Sequence, residues 1–182
     1  MSRIVAILLF ILLSPIYLLT SILIFLDSGF PILLRQKRSG INNIPFKMFK
    51  FRTMEKNAPS VASKNLNNPR ELITRTGHLL RKFSIDETPQ LYNIIKGDMN
   101  FIGPRPVILS EKNLLNLRTK EGLHKYKPGV TGYAQINGRD LIDDETKVEY
   151  DKFYFNNKSL SLKIKIICST ILNAFLQKDV TH

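Results

Sequence analysis

The stretch IVAILLFILLSPIYLLTSILIFL (Ile4–Leu26) is apolar and carries no charged residue. A bilayer core takes about 20 residues of helix to cross, so this stretch is long enough to enter a membrane. Its centre holds Ser14-Pro15, and a proline inside a helix removes a backbone N–H and clashes with the carbonyl one turn earlier. The residues alone leave two interpretations open. One is a single kinked span, and the other is a re-entrant hairpin whose ends lie on the same side of the membrane.

The composition narrows the class of protein. The chain has 182 residues, enough for one compact domain and an appendage. It holds 27 Lys and Arg against 15 Asp and Glu, and this net charge of +12 favours polyanionic partners: nucleic acid, lipid headgroups or phosphorylated substrates. Cys168 is the single cysteine and HExxH does not occur, which argues against a disulfide framework and a zinc enzyme. Neither GxGxxG nor GxxxxGK[ST] occurs either.

The rest of the chain predicts a small, mainly helical α+β domain. Alternation predicts an extended segment over 47–54, and helical spacing predicts helices over 70–83 and 89–96. The three glycines within 127–140 indicate a structured loop. Apolar residues over 162–175, flanked by lysines, predict a helix that either lies on anionic lipid or faces a core.

Asp86-Glu87 is the carboxylate pair with the strongest functional indication. Either a Ser84/Glu87 capping box or an N-cap Thr88 followed by Pro89 places both carboxylates at a helix N-terminus. One interpretation is structural, since the helix macrodipole favours acidic residues there. The other is chemical, because the same field and nearby cations favour an ionised carboxylate that acts as nucleophile or metal ligand.

The basic residues indicate a phosphate site. In Gly103-Pro104-Arg105-Pro106 the two prolines stiffen the backbone, and a guanidinium held in this way suits bidentate phosphate binding. A basic domain next to a membrane, with one acidic pair at a helix start, predicts an anionic lipid or nucleotide substrate and a divalent metal. The other candidate cations are Lys50, Arg52, Arg75, Arg81 and Arg139.

Several motifs occur in a fixed order along the chain. They are Ser14-Pro15, Lys50-Phe51-Arg52-Thr53-Met54, Ser84–Leu91, Lys96-Gly97-Asp98-Met99, Gly103-Pro104-Arg105-Pro106 and Lys127–Arg139. In this order they closely resemble the bacterial sugar transferases, the monotopic phosphoglycosyl transferases, in their short form. The resemblance covers roughly Ile4 to Leu176.

The resemblance implies a reaction. Such enzymes transfer a sugar phosphate from a UDP-sugar to membrane polyprenol (undecaprenyl) phosphate and release UMP, as the first membrane step in assembling a glycan. By resemblance, Asp86 is the nucleophile that forms a phosphosugar-aspartyl intermediate, and Glu87 with Asp86 binds Mg²⁺. The substrate phosphates are then expected to be bound by Lys50, Arg52, Arg81, Arg105 and Arg139.

The resemblance also implies a membrane arrangement, and it favours the re-entrant hairpin over the kinked span. Residues 1–28 are expected to form a re-entrant helix broken at Ser14-Pro15. Residues 29–182 are expected to form the catalytic domain on the cytoplasmic face of a bacterial inner membrane, including a C-terminal interfacial helix. The resemblance does not decide whether the chain forms a homodimer.

One residue departs from the family pattern. Asn43 stands where the family commonly has glycine, and asparagine tolerates left-handed backbone geometry.

Two other function classes are weighed against this one. A non-catalytic, basic membrane-surface interaction protein would account for the charge and the apolar segment without using Asp86. A nucleic-acid binder is disfavoured, because no helix-turn-helix or RRM signature occurs and an acidic run interrupts the basic surface. That run consists of Asp140, Asp143, Asp144 and Glu145.

Overall fold

A computed structural model describes residues 2–58, 69–138 and 141–176. Over these residues the fold is α+β and mainly helical, which confirms the predicted class. The helices are α1 (Ser2–Leu12), α2 (Ser14–Ser28), α3 (Arg75–Lys82), α4 (Gln90–Lys96), α5 (Lys112–Lys120), α6 (Tyr133–Ile136), α7 (Asp144–Asn156) and α8 (Leu160–Leu176). The strands are β1 (Leu33–Ser39), β2 (Pro45–Phe51), β3 (Asn100–Ile102) and β4 (Gly129–Thr131).

The apolar N-terminal stretch forms two helices with a sharp bend between them. α1 ends at Leu12, α2 begins at Ser14, and the pair is bent by 58°. Pro15 lies in the first turn of α2, where its missing N–H removes no intrahelical hydrogen bond. The helix therefore breaks where the sequence predicts. Taken singly, none of the helices in the described ranges has the length and hydropathy to cross a membrane, whereas α1 and α2 together do.

The described chain packs as two units. The first comprises residues up to Gln36 together with Met48–Ile95, and the second comprises Lys37–Lys47 together with the chain from Lys96 onward. Strands β1 and β2 pair in a two-stranded sheet, and the division falls within both strands. The connection between them holds Asn42 and Asn43 at φ 53° and 59°. The left-handed geometry that the sequence allowed at Asn43 is thus confirmed.

The core of the first unit includes the inner face of α2. Ile24, Phe51 and Leu80 are buried against one another, from α2, β2 and α3 respectively. Tyr17 of α2 places its ring edge-on to Phe51, with centroids 5.8 Å apart. Burying a side chain of this size contributes about 1.5–3 kcal/mol. The second half of the apolar stretch is therefore packed into the same core as α3, with Ile32 and Ile85 at its margin.

Helix α3 is shorter than the spacing predicts. A 3₁₀ turn occupies Pro69–Leu72, and α3 itself begins only after Thr74, whose hydroxyl accepts a hydrogen bond from the Gly77 N–H at 3.0 Å. A Cβ on Gly77 would lie 2.1 Å from the Thr53 carbonyl oxygen, so α3 approaches that backbone as closely as glycine permits. The Thr74 cap and the close contact of Gly77 determine where α3 begins. The spacing of hydrophobic residues does not predict either of them.

The extended segment predicted over 47–54 is confirmed in part. Strand β2 ends at Phe51, and Met54 forms an isolated bridge with Ile73. Between them, the Thr53 carbonyl accepts the Thr74 N–H at 3.1 Å. The chain beyond Phe51 therefore stays extended and is held by the segment that leads into α3.

In the second unit, part of the loop predicted over 127–140 is strand β4, which pairs with β3 in parallel, and α6 follows it. β3 and β4 pair with Asn100 opposite Gly129 and Ile102 opposite Thr131. A Cβ on Gly129 would lie 2.1 Å from the Gly103 nitrogen, so the glycine that suggested a loop instead permits close pairing of two strands. The core of this unit consists of Val107, Leu114, Leu123 and Val148.

The C-terminal helix prediction is confirmed by α8. Ile166 is fully buried, and Thr170 places its hydroxyl 2.6 Å from that of Thr131 on β4. One side of α8 therefore packs on the second unit. Large apolar side chains also recur on its exposed surface, at Leu160, Ile164, Ile167, Ile171 and Leu172.

Candidate active site

A short 3₁₀ turn, Ile85–Glu87, carries the acidic pair. It follows Ser84, whose backbone is left-handed at φ 54° and ψ 24°, a conformation that costs a non-glycine residue about 1–2 kcal/mol. Such strain is typical of functional turns, where the surrounding structure holds it in place. Asp86 is buried, with 9% of its surface exposed.

Both predicted caps differ from the structure. Ser84 makes no side-chain cap hydrogen bond, because its left-handed backbone leads the chain directly into the 3₁₀ turn. The Thr88 hydroxyl donates back to the Ile85 carbonyl at 2.7 Å and closes that turn. The acidic pair therefore precedes α4 by one tight turn.

Lys50 and Glu87 form an ion pair within the first unit. Lys50 Nζ lies 2.7 Å from Glu87 Oε1, and the side chains are only 16% and 17% exposed. Hydrogen bonds between charged groups are shorter and stronger than neutral ones, and partial burial protects this one from salt. The sequence placed both residues in one site, and the structure brings them into contact.

Arg81 is the second cation beside the acidic pair. Its Nε donates to the Thr53 hydroxyl at 3.0 Å, which fixes the direction of the guanidinium. Burial lowers the pKa of Arg81, and the negative charges of Asp86 and Glu87 oppose that shift. Since an arginine stays protonated at any physiological pH, the turn has a permanent positive charge close to both carboxylates.

Asn93 on α4 ties strand β2 to the helix that follows the turn, and sequence reasoning missed it. Its side chain is fully buried, and its Oδ1 accepts the backbone N–H of Phe49 at 3.1 Å. Phe49 precedes Lys50, so this bond holds the strand segment that carries the lysine. The one signal in the sequence is a polar residue between the apolar residues Leu91 and Ile94 of a short helix.

Arg52 has a contact other than the one expected. The residue is 4% exposed, and its Nη2 donates to the Ser28 carbonyl at 2.9 Å, the Ser28 hydroxyl at 2.6 Å and the Gly29 carbonyl at 2.7 Å. These oxygens belong to the C-terminal end of α2, where helix carbonyls lack intrahelical partners and the dipole is negative. Arg52 therefore caps α2, and its predicted phosphate contact stays a prediction.

Of the remaining candidate cations, Arg75 is the first residue of α3 in the first unit, and its role stays a prediction. Arg105 is in the second unit, after β3, and its main-chain carbonyl accepts a hydrogen bond from Arg118 Nη1 at 2.7 Å. Arg139 lies outside the described residues. The phosphate contacts expected of both residues stay predictions.

The acidic pair has the donor chemistry that Mg²⁺ requires. Mg²⁺ prefers hard oxygen ligands and is usually held by one or two carboxylates together with water and substrate phosphates. Asp86 and Glu87 supply two carboxylates from one turn. Across the described parts of the chain, no group of three or more His, Cys, Asp or Glu side chains is placed to hold a metal ion alone. The residues thus fit a magnesium ion shared with a phosphorylated substrate.

Comparison with known sequences assigns the chain to a class. The family model described as "Bacterial sugar transferase" matches residues 1–177. The chain therefore belongs to the bacterial sugar transferase family. This confirms the resemblance inferred from the order of the motifs.

Individual relatives cover this chain almost completely. It is 41% identical to the uncharacterized sugar transferase EpsL of Bacillus subtilis, over 92% of this chain and 81% of that protein. It is 38% identical to the exopolysaccharide production protein ExoY of Sinorhizobium fredii, over 92% of this chain and 80% of that protein. It is also 36% identical to the UDP-glucose:undecaprenyl-phosphate glucose-1-phosphate transferase of Escherichia coli, but spans only 39% of that enzyme.

Proposed function

We propose that this chain is a phosphoglycosyl transferase that moves a sugar phosphate from a UDP-sugar to undecaprenyl phosphate and releases UMP. The observation that carries the proposal is the strained turn at Asp86-Glu87, with Lys50 and Arg81 beside it, in a bacterial sugar transferase. A carboxylate pair flanked by fixed cations suits phosphoryl transfer, in which positioning and charge stabilisation do most of the catalytic work. The names of relatives such as the Escherichia coli enzyme support this substrate class.

The proposed reaction has two steps at one phosphorus atom. In the first, a carboxylate oxygen of Asp86 forms a bond to the sugar-bearing phosphorus, while the bond from that phosphorus to the UMP oxygen breaks and UMP leaves with the electron pair. In the second, a phosphate oxygen of undecaprenyl phosphate bonds to the same phosphorus and the Asp86 carboxylate leaves. Such a covalent intermediate divides one difficult displacement into two easier ones.

The neighbouring residues have separate roles in this scheme. We assign Asp86 as the nucleophile, as the resemblance to the family implies, and Glu87, which pairs with Lys50, to metal binding. Lys50 and Arg81 place positive charge where the diphosphate of the donor would gain negative charge as UMP departs. Mg²⁺, when bound by Asp86 and Glu87, would offset the repulsion between carboxylate and phosphate.

We also propose that α1 and α2 form a re-entrant hairpin in the cytoplasmic leaflet of a bacterial inner membrane. Supporting observations are the 58° bend and the apolar side chains on the outer surface of the pair. The exposed apolar side chains of α8 provide a second surface suited to the membrane interface. The most exposed large apolar residues of the hairpin are Ile4, Leu8, Ile11, Leu12, Leu18, Leu19 and Leu26.

The activity is tested with the full chain in lipid nanodiscs containing undecaprenyl phosphate and Mg²⁺. A panel of UDP-sugars is screened for UMP release, with Asp86→Asn as the matched control. We expect at least one sugar to give UMP with the native chain and none to do so with the variant. With a UDP-sugar labelled in the sugar and no undecaprenyl phosphate, label should stay on the native protein alone. No UMP from any sugar with folded protein would refute the proposed activity.

The topology is tested by labelling a cysteine introduced at Ser2. Cys168 is exposed, so it is first replaced by serine to remove its background signal. In inverted and right-side-out membrane vesicles, a re-entrant hairpin predicts labelling of Ser2→Cys from the cytoplasmic side. Labelling from the opposite side would establish a membrane-spanning α1–α2 pair instead.

A further inference from the structure

Arg118 on α5 binds two groups of the second unit, the Asp151 carboxylate and the Arg105 carbonyl, through three hydrogen bonds. Its Nε and Nη2 donate to Asp151 Oδ2 at 3.1 and 2.8 Å, and its Nη1 donates to the Arg105 carbonyl at 2.7 Å. The Arg118 and Asp151 side chains are 8% and 2% exposed. A planar guanidinium with donors on three nitrogens is the side chain that can bind a carboxylate and a carbonyl together.

A buried ion pair of this kind is poorly explained by stability alone. Removing both charges from water costs several kcal/mol, and well-packed apolar side chains often stabilise such a site equally well or better. Burial raises the pKa of Asp151, and the positive charge of Arg118 opposes that rise, so the carboxylate depends on its partner. What an apolar pair could not supply is the third donor, to the Arg105 carbonyl.

That carbonyl has a particular need for a side-chain donor. Arg105 lies between Pro104 and Pro106, neither of which has an N–H. The flanking carbonyls of Pro104 and Val107 accept backbone N–H groups of Gly129 and Ser39, each at 3.0 Å. The Arg105 carbonyl instead accepts from Arg118. The main chain of this turn is thus fixed at three points, and one of them is a side chain.

We propose that Arg118, oriented by Asp151, is a positioning residue that fixes the main chain from which the Arg105 guanidinium binds phosphate. This inference rests on the proposed function and on the phosphate contact that the resemblance predicts for Arg105. It assigns Arg118 no contact with the substrate. Its effect on catalysis passes through the geometry of Arg105.

A double-mutant cycle tests this dependence. The variants are Arg118→Lys, Arg105→Ala and the double variant, each as the full chain in nanodiscs with undecaprenyl phosphate. Lysine keeps a charge beside Asp151 but cannot bind two partners with a fixed planar group. We expect Arg118→Lys to lower kcat/KM for UMP release about 10–100-fold, because small misplacements of a binding group cost this much. In the Arg105→Ala background the same change should cost less than about 2-fold.

A matched control comes from the adjacent ion pair. Lys152 Nζ lies 2.6 Å from Glu121 Oε2, and the two side chains are 52% and 35% exposed. Lys152 neighbours Asp151 on α7, and Glu121 is the residue at the C-terminal end of α5. Lys152→Gln breaks an ion pair between the same two segments without touching Arg118, and it should leave kcat/KM within about 2-fold of the native value.

The outcomes separate the inference from the proposed function. If the native chain releases UMP and Arg118→Lys costs the same factor with and without the Arg105 side chain, Arg118 does not act through Arg105 and the inference is wrong. Native kcat/KM in Arg118→Lys would also refute it. No UMP from the native chain would refute the proposed function and this inference with it. If Arg118→Lys does not fold, Asp151→Asn takes its place in the cycle and tests the same inference. That variant keeps an acceptor oxygen in a side chain of similar volume.

Discussion

Each unit has, among its described residues, one arginine with less than a tenth of its surface exposed, and the partners of these two arginines differ. Arg52, in the first unit, donates to Ser28 and Gly29 oxygens at the end of α2. Arg118, in the second, donates to the Asp151 carboxylate and to one carbonyl. A carboxylate partner becomes a buried, uncompensated charge when its arginine is removed, whereas carbonyl partners remain neutral. The same residue type therefore differs in what its loss should cost.

The turns that carry Asp86 and Arg105 in the two units differ in a related way. The turn that carries Asp86 begins at a left-handed Ser84, so its geometry is imposed by the contacts around it. The turn that carries Arg105 is stiffened locally by Pro104 and Pro106 and is held by Arg118. One turn stores backbone strain and the other is restrained by its own sequence. Stability measurements on single variants can separate the two cases.

The largest expected effect is the loss of the buried carboxylate. Asp151→Ala leaves the Arg118 guanidinium charged and buried with one carbonyl partner. We expect the free energy of unfolding to fall by about 3–5 kcal/mol, the range for breaking a buried ion pair from one side. Chemical denaturation in detergent, followed by far-UV circular dichroism, measures this. A loss below about 1 kcal/mol would mean that the pair is hydrated and that the contrast with Arg52 is false.

Removal of Arg52, the buried arginine of the first unit, should cost less than the loss of Asp151. Arg52→Met keeps much of the apolar stem and loses the hydrogen bonds to Ser28 and Gly29. Because the remaining groups are neutral, we expect a decrease of about 1–3 kcal/mol in the free energy of unfolding, the usual cost of unsatisfied carbonyls. The same denaturation experiment measures it. Unchanged stability with a large loss of kcat/KM would instead favour the phosphate role that the sequence predicted for Arg52.

Backbone strain at Ser84 predicts a smaller effect of opposite sign. Glycine adopts left-handed geometry without a steric penalty, so Ser84→Gly should raise the free energy of unfolding by up to about 1 kcal/mol. Ser84→Val, which adds a β-branched side chain at the same φ, should lower it by about 1–2 kcal/mol. Thermal unfolding of the two variants side by side checks the prediction. Equal stabilities would show that the turn is not strained.

The smallest expected effect belongs to the exposed ion pair of the second unit. Lys152→Gln removes the contact with Glu121, whose carboxyl pKa is lowered by the hydrogen bond and charge of Lys152. The pair faces solvent, so its loss should change the unfolding midpoint little, and added salt should make native and variant chains more alike. Denaturation at two salt concentrations tests this. If Lys152→Gln lowered the free energy of unfolding as much as Asp151→Ala, burial could not be the reason why the two ion pairs differ.

Lys50 and Glu87 of the candidate site could be assigned from the sequence, because they occur in short motifs that follow one another in a fixed order. Lys50 and Glu87 were assigned to one site from the motif order, and the structure places them 2.7 Å apart although they are 37 positions apart in the chain. Helix α4 was predicted correctly from its spacing, and it ends before Gly97, which has φ 95°. Local sequence patterns were sufficient to predict the structure wherever it depended on a single turn or a single helix.

Predictions were less accurate where a distant backbone decided the geometry. Gly129 looked like a loop glycine, yet it pairs with β3 because its missing side chain lets two backbones approach. The helix predicted from residue 70 begins only at Arg75, because Thr74 caps it and Gly77 packs against the Thr53 carbonyl. Hydrophobic periodicity reports which face is buried and carries no information about such close contacts.

The sequence by itself determined the helix break at Ser14-Pro15, the family and the acidic pair, because each depends on a few adjacent residues with strong local preferences. Only the tertiary structure decided the contacts of the arginines. Arg52 and Arg81 are similar cations in the sequence, yet one caps α2 and the other lies beside Asp86. The physical reason is that a flexible, charged side chain has no local preference of its own. Its role is set by the oxygens that folding brings within its reach.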